Sequence, residues 1–159
     1  MAALTDAAFY TGQVGTSGES AFVTAPKEVH VRYLPPIVRN LAGTESAADT
    51  FYIARLRKGQ KLIPALSYVA HDDAGTTLTI DIGDDTDPDR YGDGIDLATA
   101  AGVKNFCGAV IPDAVPNPYV ITDTNRDILV TIATSGTPAA ADVVFYLAIE
   151  TDTGDIGEL

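Results

Sequence analysis

Apolar and polar residues alternate in short stretches along much of this chain. The clearest example is residues 77–83, where Leu78, Ile80 and Ile82 fall on one side of an extended strand and polar residues fall on the other. One face of this strand is therefore expected to meet a core, and the other to meet water or a neighbour.

Similar runs recur, and each ends at residues that favour turns, such as Pro35–Pro36 and Lys58–Gly59. The predicted strands are Val29–Tyr33, Phe51–Arg57, Leu62–Ala70, Thr77–Gly83, Phe106–Ile111, Tyr119–Thr122, Ile128–Ala133 and Val143–Glu150. Roughly eight strands at this spacing predict an all-β protein, built as a single β-sandwich or jelly-roll-like barrel. Only Ile95–Gly102 indicates a short helix.

The first part of the chain differs from the rest. Residues 1–25 are rich in Ala, Thr, Gly and Ser and follow neither a strand nor a helix period, so they cannot bury a face of their own. They predict an extended N-terminal arm, which can gain order along a neighbouring subunit. Residues 26–159 form the predicted β-domain, and a chain of 159 residues requires no second one.

Charge and cysteine content narrow the function classes. The chain has 22 acidic and 10 basic residues, and its net charge of −12 opposes binding to nucleic acid or to an anionic membrane. No apolar stretch approaches the ~18 residues of a membrane span, and the start lacks a signal-peptide pattern, so a cytoplasmic protein or a particle component is expected. The single cysteine, Cys107, excludes an intrachain disulfide, and its apolar surroundings predict a buried structural thiol.

The acidic stretch over residues 84–96 contains Gly and Pro and predicts a solvated, turn-rich loop. Counted from its second residue, carboxylates occupy positions 1, 3, 5, 9 and 12, close to a calcium-binding EF-hand loop: Asp85, Asp87, Asp89, Asp93 and Asp96. The match fails because Arg90 stands where the loop needs Gly and Pro88 stiffens its middle. We therefore expect no metal, and an acidic turn in which Arg90 pairs with a carboxylate.

Candidate catalytic groups are sparse. His30 lies in a predicted strand and His71 begins a turn, and neither belongs to a nucleophile elbow or a Cys–His pattern. No glycine-rich loop has the strand and helix around it that would aim amides at a phosphate, and no Cys/His cluster suits zinc. The sequence predicts neither an enzyme nor a cofactor.

The basic residues form one cluster on this acidic chain, comprising Arg55, Arg57, Lys58 and Lys61. Strict alternation would place Arg55 and Arg57 on the same face as Phe51 and Ile53. Two interpretations remain open. The cluster is either a solvated strand end or a contact with a subunit or partner, for which Arg is favoured.

Several of these segments occur in an order that resembles a known family. They are Phe51–Gly59, an apolar strand that leads into His71–Asp73, and residues 77–84 followed by Asp87–Tyr91. This order is similar to that of small proteins encoded near the major capsid gene of tailed bacteriophages. The resemblance covers about Phe51 to Thr151.

The resemblance implies a head decoration, or cement, protein: a jelly-roll-like barrel that forms homotrimers on the capsid exterior. Its partners would be the major capsid protein and further copies of itself, with no nucleic acid or membrane. Resemblance and local chemistry together imply that Gly83 lets the chain turn out of its strand. They also imply that Arg90 fixes the loop by pairing with Asp84 or Asp87.

Two alternatives remain. One is a phage head-fibre or tail component. The other is a calcium-dependent or carbohydrate-binding β-sandwich module, which metal binding by the acidic stretch would favour.

Overall fold

The structure is a computed structural model and describes residues 29–98, 100–108, 119–122 and 125–152. These residues form eleven strands: β1 (Val29–Tyr33), β2 (Ile37–Ala42), β3 (Thr50–Leu56), β4 (Gln60–Leu62), β5 (Tyr68–His71), β6 (Leu78–Asp84), β7 (Asp87–Asp96), β8 (Gly102–Asn105), β9 (Arg126–Ser135), β10 (Ala140–Tyr146) and β11 (Ala148–Asp152). A 3₁₀ turn at Pro64–Leu66 is the one helical element among them. The predicted all-β, sandwich-like fold is confirmed.

The strands form three antiparallel sheets. Two have four strands each, in the orders β2-β10-β5-β8 and β3-β9-β6-β7, and the third has three in the order β1-β11-β4. The rings of Phe51 on β3 and Phe145 on β10 meet edge to face at 6.1 Å, so the two larger sheets contact each other through their inner faces.

Period-2 patterning places the core as expected. Leu78, Ile80 and Ile82 are fully buried on β6. They join buried residues of the facing sheet, including Val143 and Phe145, in one continuous hydrophobic cluster. Burying apolar area of this kind is the main favourable contribution to folding.

The prediction of a solvated loop over residues 84–96 is wrong, because most of this stretch is strand β7. Tyr91 and Ile95 are buried on β7. Their burial offsets the cost of ordering a strand that carries many carboxylates. The Asp81 carboxylate of β6 accepts a hydrogen bond from the Gly94 N–H at 2.8 Å and holds an irregular part of the pairing. Here packing outweighs the turn tendency of Asp, Gly and Pro.

The short helix predicted at Ile95–Gly102 is also wrong. Ile95 pairs with Ile80 on β6 and Asp96 pairs with Thr79, and the Leu97 N–H donates to the Leu78 carbonyl at 2.9 Å, which continues the ladder. Ile95 and Leu97 are both buried, two residues apart, and this is a strand period. Gly102 begins β8, while Thr99 lies outside the described residues.

Other predicted strands differ in extent. The run Leu62–Ala70 is interrupted by the turn at Pro64–Leu66, since proline cannot donate to a ladder. The run Val143–Glu150 is divided between β10 and β11, and β2 was not predicted at all. Residues 119–122 belong to no named strand, and the stretch predicted at Phe106–Ile111 begins with a turn and then leaves the described residues.

An irregularity in β3 changes the face of one predicted contact residue. The pairing with β9 shifts between Tyr52 and Ala54, so Ile53 and Ala54 are both buried in succession. Beyond this shift Leu56 points inward and Arg55 points outward, opposite to its expected position beside Ile53.

The predicted arm over residues 1–25 lies outside the described residues, so the division at residue 26 stays a prediction. Cys107 is half-buried, and its burial raises the pKa of the thiol. Within the part of the chain that is described, no helix is long and apolar enough to cross a membrane.

Candidate functional site

A buried carboxylate organises the turn between β6 and β7. Asp84 ends β6 opposite Asp87, which begins β7, so only two residues form the turn. The Asp84 side chain accepts hydrogen bonds from the Thr86 N–H at 2.9 Å and from the Thr86 hydroxyl at 2.6 Å. This is a local Asx-turn bond, which explains why Asp suits this position.

Two arginines converge on the same carboxylate. Nε of Arg90, on β7, donates to Asp84 Oδ2 at 2.9 Å, and its Nη2 lies 3.5 Å from Asp87. Nη1 of Arg126, at the start of β9, lies 3.5 Å from Asp84 Oδ1 and donates to the Thr86 hydroxyl at 2.9 Å. The Asp84 side chain is fully buried, so its charge is compensated almost entirely by these protein groups. We call Asp84, Thr86, Arg90 and Arg126 the aspartate–arginine cluster.

Tyr119 covers the cluster from a distant part of the sequence. The Arg90 guanidinium lies 4.0 Å from the centre of the Tyr119 ring, and that of Arg126 lies 5.6 Å from it. Contacts of this kind attract a cation to the ring face. The Ile121 N–H also donates to the Gln60 carbonyl at 3.0 Å, so residues 119–122 are fastened to both β4 and the cluster.

The surroundings shift the pKa of two buried groups. Burial alone would raise the pKa of Asp84, but the hydrogen bonds from Thr86 and the charges of Arg90 and Arg126 outweigh it and lower the pKa below its ordinary value. Burial and the nearby Asp84 charge raise the pKa of Tyr91, whose hydroxyl has no hydrogen-bond partner among the described residues. At neutral pH Asp84 is therefore ionised and Tyr91 neutral.

Gly83 is required by close packing. It lies inside β6, with a φ outside the left-handed region, and a Cβ built on it would come 2.1 Å from the Asp87 carbonyl oxygen. The sequence predicts that Gly83 lets the chain turn out of its strand. In the structure, the missing side chain of Gly83 instead leaves room for the backbone of β7 to pack closely against β6.

The structure does not gather the basic cluster into one free positive surface. Arg55 makes a bidentate pair with Asp127 on neighbouring β9, at 2.5 and 2.9 Å, which raises the pKa of Arg55 and lowers that of Asp127. Lys61 pairs with Glu150 across the β4–β11 ladder at 2.6 Å. Arg57 and Lys58 are exposed in the turn between β3 and β4.

The carboxylates of the calcium-like window do not surround a common point. Asp85 lies in the turn with an exposed side chain, and the other four are distributed along extended β7. The side chain of neighbouring Asp87 raises the pKa of Asp89. No group of three or more metal-binding side chains occurs within the described residues.

A pocket of about 210 Å³ lies beside the cluster, lined by Asp85, Asn125, Arg126, Asp127 and Leu129. Its lining includes Arg126 of the cluster and Asp127 of the Arg55–Asp127 pair, so it carries charges of both signs. Such a surface can receive a polar side chain of a partner. His71 lies elsewhere, buried in β5, with Nδ1 2.8 Å from the Asp72 carbonyl oxygen.

Sequence reasoning found Asp84 and Arg90 but missed three contributors, Thr86, Arg126 and Tyr119. The spacing of Asp84 and Thr86 is a signal for an Asx turn and could have identified Thr86. Arg126 and Tyr119 have no local signal, since only the β6–β9 pairing and the course of residues 119–122 bring them to the turn.

No protein-family model and no curated protein matches this sequence. Among solved structures, the fold is similar to that of a chain in the Cyanophage Pam1 capsid asymmetric unit, with a TM-score of 0.58 and 18% identity over 87% of this chain and 99% of that chain. It is also similar to a chain in the capsid of Ralstonia phage GP4, with a TM-score of 0.58 and 17% identity over 79% of this chain and 84% of that chain. This chain therefore shares a fold with chains of two phage capsid structures.

Proposed function

We propose that this protein is a structural component of a bacteriophage virion, a head decoration protein that binds the outside of the assembled capsid and stabilises it. The observation that carries this proposal is the likeness in fold to chains of two phage capsid structures, one of which is covered over 99% of its length. The order of segments between Phe51 and Thr151 supports the same class. The proposal assigns no catalytic role.

The mechanism we propose is mechanical. A homotrimer that bridges neighbouring capsid subunits adds contacts that must break before the shell can open. Each contact raises the effective concentration of the others, so weak individual contacts give strong attachment. The acidic surface suits an exterior position, because it does not compete for the packaged genome.

The aspartate–arginine cluster would keep the attachment surface rigid. It fastens the β6–β7 turn, the start of β9 and residues 119–122 together at one end of a sheet. Surfaces that are ordered before binding lose less conformational entropy when they bind.

The capsid contact is assigned to the basic residues at positions 55–61. Arg57 and Lys58 are exposed in the β3–β4 turn, beside the exposed Arg55–Asp127 pair. Complementary charges across such a contact guide association and fix its register. The predicted arm over residues 1–25 is assigned a second contact, with the capsid or with a neighbouring subunit.

The test is co-sedimentation with purified mature heads that lack this protein, followed by heating. The protein should sediment with the heads and raise their disruption temperature. Charge reversal by Arg57→Glu should weaken binding, most strongly at low salt, and adding Lys58→Glu should weaken it further. Arg32→Glu, an exposed arginine on β1, is the matched control, and deleting residues 2–25 should weaken attachment without unfolding the β-domain.

Failure of the wild-type protein to bind heads or to raise their disruption temperature would contradict the proposal. The head-fibre or tail alternative and the ligand-binding alternative would then be examined first. Equal weakening by Arg32→Glu would show that total charge acts, and would remove the specific assignment to positions 55–61.

A further inference from the structure

The outer face of the β2-β10-β5-β8 sheet carries a row of apolar side chains that crosses all four strands. One residue comes from each strand: Val38, Val144, Ala70 and Val103. The strand registers place each directly opposite the next. Val38 and Val103 stand on the two edge strands and are 57% and 65% exposed. With strands about 4.8 Å apart, the row is roughly 14 Å long.

Aromatic residues extend this row toward one end of the sheet. Tyr68 and Tyr146 are stacked with their ring centres 4.6 Å apart, and Tyr33 meets Tyr68 edge to face at 6.4 Å. Tyr33 is 53% exposed, and its hydroxyl donates to the carbonyl of exposed Leu66 at 3.0 Å. We call the four-residue row together with these three tyrosines and Leu66 the valine–tyrosine face.

This face lacks the charge that dominates the chain. Among the residues that the four strands direct outward, Asp142 is the one charged side chain, and its carboxylate accepts a hydrogen bond from Asn40. Exposed Asp72, which follows β5, lies beside Asp142, and both stand at the end of the sheet away from the tyrosines. The chain as a whole has a net charge of −12. A partner selected by opposite charge would therefore bind elsewhere, because this face offers it almost nothing to recognise.

A second copy of this chain, unlike a partner of opposite charge, is expected to bind through a surface with little charge. It carries the same −12 charge, so contact through most surfaces is opposed by repulsion, whereas contact through a nearly uncharged face is not. Interfaces between identical subunits are also more apolar than other interfaces, depleted of charge at their centre and enriched in tyrosine. The valine–tyrosine face has each of these properties.

We propose that the valine–tyrosine face packs against a second copy of this chain and forms the subunit contact of a homo-oligomer. This deepens the proposed function, which needs a contact between subunits. It can nevertheless be tested on the isolated protein without any capsid.

The test introduces a carboxylate at either end of the row, as Val38→Asp and, separately, Val103→Asp. Both side chains point outward from edge strands, so the fold should persist, which circular dichroism and thermal melting will check. The matched control is Val120→Asp, because Val120 is also exposed, at 39%, but lies outside this face. Molar mass is measured by sedimentation velocity from about 1 μM to 1 mM, a range in which an oligomer with a micromolar Kd dissociates visibly.

Wild-type protein and Val120→Asp should have the mass of an oligomer. Val38→Asp and Val103→Asp should raise the dissociation constant at least about 100-fold, because each would bury an unpaired charge. If either aspartate variant fails to fold, Val38→Thr and Val103→Thr keep the shape of the side chain and should still weaken association about 10-fold.

A monomeric wild-type protein throughout this range would overturn the inference, as would oligomers of undiminished stability in the folded variants. Variants that keep the oligomer but lose binding to phage heads would assign the face to the capsid instead. If the variants dissociate as expected but wild-type protein does not bind heads, the capsid function fails and the subunit contact stands.

Discussion

Replacing Asp84 with Asn is the most direct test of the aspartate–arginine cluster. Asparagine has the same shape and can still accept the Thr86 N–H bond with Oδ1, so the Asx turn is kept. The negative charge that faces Arg90 and Arg126 is lost. The variant therefore measures what this buried charge contributes.

The expected cost follows from the surroundings of the three groups. Asp84 is fully buried, while the Arg90 and Arg126 side chains are only 17% and 14% exposed. Removing one partner from a buried ion pair costs about 3–5 kcal/mol, and a charge-assisted hydrogen bond contributes about 1.5–3 kcal/mol. Because water still reaches the arginine heads, we expect the free energy of unfolding to fall by about 2–4 kcal/mol. For a domain of this size, that lowers the melting temperature by roughly 6–15 °C.

The assay is equilibrium unfolding in urea, followed by circular dichroism because the chain has no tryptophan. Asp85→Asn is the matched control, since it removes the same charge from the neighbouring residue, whose side chain is 72% exposed and 3.4 Å from Arg126. The control should change stability by no more than about 0.5 kcal/mol, as exposed ion pairs contribute little.

The difference should also depend on pH in a defined direction. The pKa of Asp84 is lower in the folded protein than its ordinary value, so its contribution is fully present above the unfolded pKa of about 3.9. It is lost as the pH falls through the folded pKa. The gap between wild type and Asp84→Asn should therefore be constant above about pH 5 and narrow below about pH 4.

Equal stability of Asp84→Asn and Asp85→Asn at pH 7 would refute this reasoning. It would mean that water solvates the side chains of the two arginines well enough to compensate for the loss of the Asp84 charge. A gap that widens in acid would refute the assigned direction of the pKa shift.

Two further predictions concern the same hairpin. Gly83→Ala should lower the free energy of unfolding in urea by at least about 2 kcal/mol, because the added Cβ would overlap the Asp87 carbonyl oxygen. Gly108→Ala is the control and should be nearly neutral, because its Cβ would have no neighbour nearer than 3.6 Å. Adding 1 mM Ca²⁺ in place of EDTA should leave the melting temperature unchanged, since the β7 carboxylates do not converge, and stoichiometric binding by calorimetry would instead favour the ligand-binding alternative.

The sequence alone was sufficient for the fold class and for the inward face of β6. Leu78, Ile80 and Ile82 alternate with polar residues, and a period of two is a local property that needs no knowledge of distant contacts. The pairing of Arg90 with Asp84 was also accessible, because the two residues are close in sequence and opposite in charge.

The local composition of residues 84–96 led to the wrong prediction of a solvated loop. Asp, Gly and Pro indicate turns, but Tyr91, Ile95 and Leu97 are all buried, and Ile95 and Leu97 keep a period of two. The burial of these three side chains, and the pairing of β7 with β6, outweighed the local tendency.

Only the tertiary structure decided how the cluster is completed and which surface is left apolar. Arg126 and Tyr119 reach Asp84 and Arg90 through the sheet order and the course of residues 119–122, which no local pattern encodes. The same holds for the valine–tyrosine face, whose members come from separate strands and become neighbours only through register. The period of apolar residues determines which face of each strand is buried. The partners of a strand are determined by long-range packing, which cannot be read from local patterns in a single sequence.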